Sequence, residues 1–274
     1  MGRNVCGPEY GESRTTDLLV DICQGQGWPF LRQTVHPGRD NVLMFVEGRP
    51  PAGDGGELLL WDVHQDTVPV EGMSIDPFAG ELRNGRVYGR GACDVKGSMA
   101  AMLAALSGLA ADAPAIRPTI VLACTANEEC GFTGAQVLGH EFAATLDGEV
   151  IGGDRATESA MAQFFPRLPD AAIVAEPTEL NVVVAHQGVV RWRCHTVGRA
   201  AHTSQPDLGM NAIYAMAQVV QSIERFHAEL SNTAPEHPLC GRPSVCVSTI
   251  CGGVGINTVP ERATIEIDRR LERL

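Results

Sequence analysis

A chain of 274 residues with 44% apolar and 20% charged residues has ordinary globular composition and enough apolar material for two domains. Its 33 acidic and 21 basic residues give a net charge of −12 with no basic stripe, which argues against nucleic-acid partners. No apolar run approaches the roughly 20 residues of a membrane span, and no basic-then-apolar leader opens the chain, so a cytoplasmic protein without membrane contact is expected.

In chain order, a helix is predicted from near Glu9 to the Gly-rich "GQGW". Strands "NVLMFVEG" and "GELLLWDV" follow, separated by the Pro/Gly loop "GRPPAGDGG". "GELRNGRVYGRG" reads as a hairpin turning at "NG". "VKGSMAAMLAALSGLAA" is a helix apolar nearly all round, and is therefore predicted to be buried. "PTIVLACTA" and "DAAIVAEP" are unbroken apolar runs, the pattern of parallel strands covered on both faces. Strands alternating with helices predict an α/β domain with a mainly parallel sheet over residues 1–183.

The pattern then changes. "VVRWRCHTVG" alternates apolar and polar residues, as a strand with one wet face does, and "NAIYAMAQVVQSIERFHAEL" is an amphipathic helix opened by an asparagine. "SVCVSTICGG" and "RATIEIDRRLERL" are two further strands. A β-α-β-β order over residues 184–274 is the first part of a split βαβ, ferredoxin-like (α+β) domain. Its final helix and strand do not follow before Leu274, which would leave an uncovered sheet edge. The chain therefore reads as cut short, with both domains incomplete.

Nine cysteines show no C-x-x-C spacing. Several (Cys124, Cys194, Cys246) lie inside apolar runs, so reduced and mostly buried thiols are expected, with Cys93 and Cys130 as small packing residues.

Polar residues interrupt the pattern where apolar strands end. "LLLWDVHQDTVP" delivers His64 and Asp66, and "GRGACDVKGSMA" places Asp94 in a glycine-rich bend before a helix. "TANEEC" delivers the adjacent Glu128 and Glu129, and "IVAEPTE" delivers Glu176. Singly, each has a plain structural role: a hydrogen-bonded histidine, a turn cap, a helix N-cap, an acidic turn, an exposed loop acid. Together they are five acids and a histidine at strand ends, where ligands bind in open α/β sheets. Such a cluster repels itself unless cations are present, and mixed His/carboxylate ligation suits zinc, cobalt or manganese.

"HQDTVP", "DPFAGELRNGRVYGRGACDVKG", "TANEECG", "AEPTE" and "GRAAHTSQPDLGMNAI", in that order, resemble the M20 metallopeptidase and amidohydrolase family, nearest its acetylornithine deacetylase and desuccinylase branch. The resemblance implies a metallohydrolase catalytic domain with an inserted lid and dimerisation domain, and two divalent ions, zinc or cobalt. His64 and Glu176 would bind the first metal, Glu129 the second, and Asp94 would bridge them. Asp66 would orient His64. Glu128 would be the general base acting on a metal-bridging water. His202 would reach across a homodimer to the oxyanion in the partner's site. Asn257 and Arg270 match positions that hold the substrate carboxylate, whereas His186 reads as structural.

The family also supplies a late histidine to the second metal, and nothing here matches it, so the second site is expected to be incomplete. The helical segment that usually precedes "MGRNVCGPEYGES" is missing too, so the start reads as internal. The expected function is hydrolysis of the amide bond of small N-acyl amino acids, with little or no activity from these 274 residues alone. Two alternatives remain: an inactive remnant that keeps metal binding or dimerisation, and a dipeptidase or aminopeptidase of the same family.

Overall fold

A computed structural model describes residues 11–112, 114–147 and 155–271. The chain divides into two compact units, the first ending at Leu180 and the second running from Asn181. Among the described residues, no helix is long and apolar enough to cross a membrane.

The first unit is built on a five-stranded sheet. Helix α1 (Ser13–Gln26) leads into β1 (Phe30–His36), β2 (Arg39–Val46) and β3 (Leu58–His64). A small hairpin of β4 (Glu81–Arg83) and β5 (Arg86–Tyr88) precedes α2 (Gly97–Asp112) and β6 (Thr119–Thr125). One short turn of helix, α3 (Glu128–Gly131), then α4 (Thr133–Asp147), α5 (Arg155–Phe164) and β7 (Ala171–Val174) complete it. Strand order is β1-β2-β6-β3-β7. β3 runs parallel to both β6 and β7, whereas β2 is antiparallel to β1 and β6. The fold is thus α/β with its parallel strands on one side of a mixed sheet.

β2 and β6 are buried over their full lengths because both faces of the sheet are covered. Val42, Met44, Val46, Ile120, Leu122 and Cys124 point to one face, where Leu19 and Cys23 of α1 and Met99 and Leu106 of α2 pack. Leu43, Phe45, Val121 and Ala123 point to the other, against Leu138 of α4 and Met161 and Phe164 of α5. Phe45 stacks on Phe164 with ring centroids 5.0 Å apart.

Some local expectations shift. α1 ends where predicted, at a left-handed Gly27, while Glu9 lies outside the described residues. α2 fully buries only Met99 and Leu106, because most of its alanines face outward, while Met102, Leu103, Leu109 and Ala110 are partly covered. β7, an unbroken apolar run, is an edge strand exposed along its length. Cys23 and Cys124 are buried thiols, but Cys93, Cys246 and Cys251 are exposed, Cys194 is half-buried, and Cys130 is exposed and disulfide-bonded.

The second unit consists of β8 (Gly188–Val197), α6 (Ala212–Thr233), β9 (Ser244–Gly252) and β10 (Arg262–Leu271). β10 lies between β8 and β9 and is antiparallel to both, so the strands flanking the helix are split by a third. Asn211 caps α6, its side-chain oxygen accepting from the amides of Ile213 and Tyr214. Ala212 and Met216 of α6 pack on Val245, Ala263, Ile265 and Ile267. The other face is wet, with cross-strand pairs Arg191–Asp268 at 2.9 Å and Arg193–Glu266 at 2.7 Å.

A buried polar layer crosses the first unit where β2 and β6 meet the segment after β6. Asn41 accepts from the amide of Ala126 at 2.9 Å and donates to the carbonyl of Gly134 at 2.9 Å. A Cβ on Gly134 would lie 2.3 Å from the Ala126 carbonyl oxygen and 2.5 Å from Asn41 Oδ1. Gly134→Ala is therefore expected to cost about 1–3 kcal/mol of stability, seen as a lower denaturant midpoint. An unchanged midpoint would show that the layer yields freely.

Candidate metal centre

Three neighbouring parallel strands, β6, β3 and β7, end on the same side of the sheet, so the residues that follow them converge. β3 ends at His64 and continues to Asp66, β6 leads through Asn127 to Glu128 and Glu129, and β7 leads to Glu176. Asp94 arrives from the turn at residues 92–96 that enters α2, where its backbone leaves helical geometry.

His64 is buried. Its Nδ1 lies 2.9 Å from the main-chain oxygen of Asp66, which can only accept, so Nδ1 carries a hydrogen. Nε2 then faces Asp94 Oδ1 at 3.0 Å. A neutral imidazole would set two lone pairs against each other there, so the contact requires a proton or a cation between them. His64, Asp94 and Glu176 each offer a donor atom within 4.8 Å of the others, the one such group of His, Cys, Asp or Glu among the described residues. One imidazole and two carboxylates at that spacing fit a zinc-like ion.

The carboxylate of Asp66 has a second task. Its two oxygens accept from successive amides, those of Glu128 and Glu129, each at 3.0 Å. It stands 3.6 Å from His64 Nδ1, so the main-chain oxygen orients the ring more closely than the carboxylate does. Both glutamates are half-buried on α3 beside the three-residue group, and the amide of Val68 also donates to Glu129.

The electrostatics are those of an undercompensated anionic cluster. Burial, with repulsion from neighbouring carboxylates, pushes Glu128, Glu129 and Glu176 above the usual carboxylate range. Burial opposes ionisation of Asp66 too, but the His64 ring and the two amides outweigh it and hold the group below its ordinary value. Burial would also depress His64, yet Asp66, Asp94 and Glu128 overcome it and push the imidazole up to about 9.

Two supporting residues escape a reading by motif. Gln65, between His64 and Asp66, donates to the carbonyls of Asp40 at 2.8 Å and Cys124 at 2.7 Å and accepts from Thr16 Oγ1 at 3.0 Å. Lys96, two residues beyond Asp94, donates to the Gln65 carbonyl at 2.6 Å. A polar residue at the end of a buried strand was the available signal for Gln65.

His202, Asn257 and Arg270 belong to the second unit. The backbones of His202 and Asn257 adjoin, with Thr203 N donating to the Asn257 carbonyl at 3.1 Å. His202 Nδ1 accepts from the Ser204 amide at 3.2 Å, so a neutral His202 ring carries its hydrogen on Nε2. Arg270 is near the far end of β10, donating to Asp268 at 2.8 Å. His186, exposed, makes a 3.1 Å contact with the Gln187 carbonyl.

His64 sets a pH dependence. Its folded pKa of about 9 lies above the ordinary 6.5, so its stabilisation is complete below pH 6.5 and is lost as pH rises through 9. The raised glutamates act in the same direction, since ionising them costs more in the folded chain. The unfolding midpoint of metal-free protein is expected to fall between pH 6.5 and 9, and saturating zinc should flatten the curve. A flat curve without zinc would contradict the His64–Asp94 charge pair.

Comparison with known proteins places this arrangement. The chain is 32% identical over 240 residues to an acetylornithine deacetylase of Photorhabdus laumondii, covering 85% of this chain and 53% of that protein. It is 28% identical over 270 residues to a probable carboxypeptidase of Aspergillus terreus, covering 95% and 56%. It spans about half the length of the curated relatives it matches. Among solved structures, an M20 family metallo-carboxypeptidase from Sulfolobus solfataricus superposes with a TM-score of 0.66 at 17% identity, covering 94% of this chain and 66% of that one. Human carnosine dipeptidase 1 gives 0.62 at 15% identity, covering 95% and 64%. The family model described as Peptidase family M20/M25/M40 matches residues 60–268, and the chain belongs to that family.

Proposed function

We propose that this chain carries the working carboxylates of a metal-dependent hydrolase that cleaves the amide bond of small N-acyl amino acids, in the manner of an acetylornithine deacetylase. The observation that carries the reading is the pair Glu128–Glu129 hung by successive amides on Asp66, beside the group formed by His64, Asp94 and Glu176. His64, Asp94 and Glu176 would hold one zinc or cobalt ion, and Glu129 with Asp94 a second. Bound there, the ions supply Lewis-acid polarisation of the scissile carbonyl and make an attacking water more acidic.

The remaining chemistry belongs to side chains. Glu128, half-buried beside the three-residue group, takes the proton of the attacking water. As the amide breaks, the same group returns that proton to the departing nitrogen. Asp66 keeps Glu128 in place by holding its amide. His202 presents an Nε2 hydrogen suited to a developing oxyanion, with Asn257 adjoining it. Arg270 would pair with the substrate carboxylate, which requires exchange from Asp268. Roughly 25 Å of extended β10 separates the Asn257 end from Arg270, so one copy of the unit does not present all three to one small substrate. That spacing supports a homodimer in which His202 serves the partner's site.

A second reading, cation binding without turnover, is favoured by the ligand set. Among the described residues the one group of three at ligand spacing is His64, Asp94 and Glu176, with a single histidine, which is the ligand set of one cation. Assay of the 274-residue chain beside a version extended through the family's late histidine, with zinc or cobalt, on N-acetylornithine, other N-acyl amino acids and dipeptides, separates the readings. Under the first, Glu128→Gln lowers kcat by about 10²–10⁴-fold while cation affinity stays within a few-fold. Cation binding with no turnover of any of these substrates by either version selects the second. Wild-type turnover that survives Glu128→Gln removes Glu128 from the mechanism.

A further inference from the structure

Glu128 and Glu129 are held from one side by Asp66, and the residue before them is held from the other. Asn127 adopts a left-handed conformation with φ of 61°, which asparagine tolerates better than most residues. Each of its polar groups is engaged. Its amide donates to Glu12 Oε1 at 3.2 Å, and its carbonyl accepts from the Phe132 amide at 2.8 Å. Its Oδ1 accepts from Arg39 Nη1 at 2.9 Å, and its Nδ2 donates to Thr133 Oγ1 at 2.8 Å. Arg39 Nη1 also reaches Glu12 Oε1 at 2.8 Å, with side-chain exposures of 8% and 2%. Three consecutive amides, of residues 127, 128 and 129, therefore each rest on a buried carboxylate: Glu12, then Asp66 twice.

We propose that Glu12 and Arg39 are a positioning pair that locks the left-handed turn at Asn127 and thereby aims the Glu128 and Glu129 carboxylates. The inference rests on the reading of those two glutamates as working groups, and it adds the device that directs them. The contacts join distant parts of the chain, from the residue before α1, the first residue of β2 and the residue two beyond β6. A buried ion pair is a weak source of stability, because apolar residues of similar volume often serve as well. Apolar residues could neither accept the Asn127 amide nor donate to its side chain. Burial pushes the Glu12 carboxyl above its ordinary range, and the Arg39 counter-charge beside it works against that shift.

The test separates aim from stability in the full 274-residue chain. Arg39→Met and Glu12→Leu each remove one member of the buried ion pair and should lower the melting temperature. The double variant leaves none and should melt above either single variant. Amide hydrogen exchange at Asn127, Glu128 and Glu129 is expected to quicken roughly tenfold or more in both single variants and to stay fast in the double. Arg39→Lys should keep protection, since Nη1 alone bonds both Glu12 Oε1 and Asn127 Oδ1 and an ammonium can donate to both. Wherever turnover is measurable, the double variant should lose kcat with KM held. Protection that returns in step with melting temperature in the double variant overturns the proposal, because the pair then contributes stability alone. Titration of wild-type protein with cobalt, alongside the activity assay, keeps the two ideas apart. Absence of both binding and turnover sinks the hydrolase reading, while exchange at the three amides still decides whether the pair fixes the turn.

Discussion

The Asp66 carboxylate sets the geometry on which the candidate site depends. It stands after β3 and spends one oxygen on each of two successive amides after β6, so two neighbouring strand ends become one rigid corner. Its own main-chain oxygen fixes the hydrogen-bearing nitrogen of His64, which leaves the other nitrogen facing Asp94. One residue thus orders a ligand on its own strand and two carboxylates on the next. The arrangement depends on parallel strands, because only parallel neighbours deliver consecutive loops to the same end of the sheet.

Holding this corner requires polar groups inside an otherwise apolar α/β core. Gln65, Asn41, Arg39 and Glu12 are all buried, and burying such groups unpaired costs from one to several kcal/mol each. The structure offsets that cost by bonding them to main-chain groups of the site segments and to one another. The result is a layer whose members act through each other, so the effects of changing them will not add.

Much of this was legible in the sequence, for a physical reason. His64, Asp94, Glu129 and Glu176 each follow or adjoin an apolar run, and a charged residue at such a boundary stands out. The structure brings His64, Asp94 and Glu176 within ligand distance and seats Glu128 and Glu129 beside them. Strand direction was hidden, since a strand buried on both faces reads the same whichever way it runs. That is why the antiparallel side of the sheet escaped notice, along with β1, whose "FLRQTVH" mixes polar and apolar residues. The polar layer escaped for another reason: Glu12, Arg39 and Asn127 are 27 and 88 residues apart in sequence, and only tertiary contact joins them.

The strand that presents Glu176 is unlike the other two. β3 and β6 are flanked on both sides within the sheet, whereas β7 is a four-residue edge strand exposed throughout. The centre thus draws on an interior strand and on an edge strand of the described sheet. A cation shared between His64 and Glu176 would act as a rivet, fastening the edge strand β7 to its interior neighbour β3. Any cation bound there would hold the two strand ends together, so its affinity and the stability of that edge would be linked.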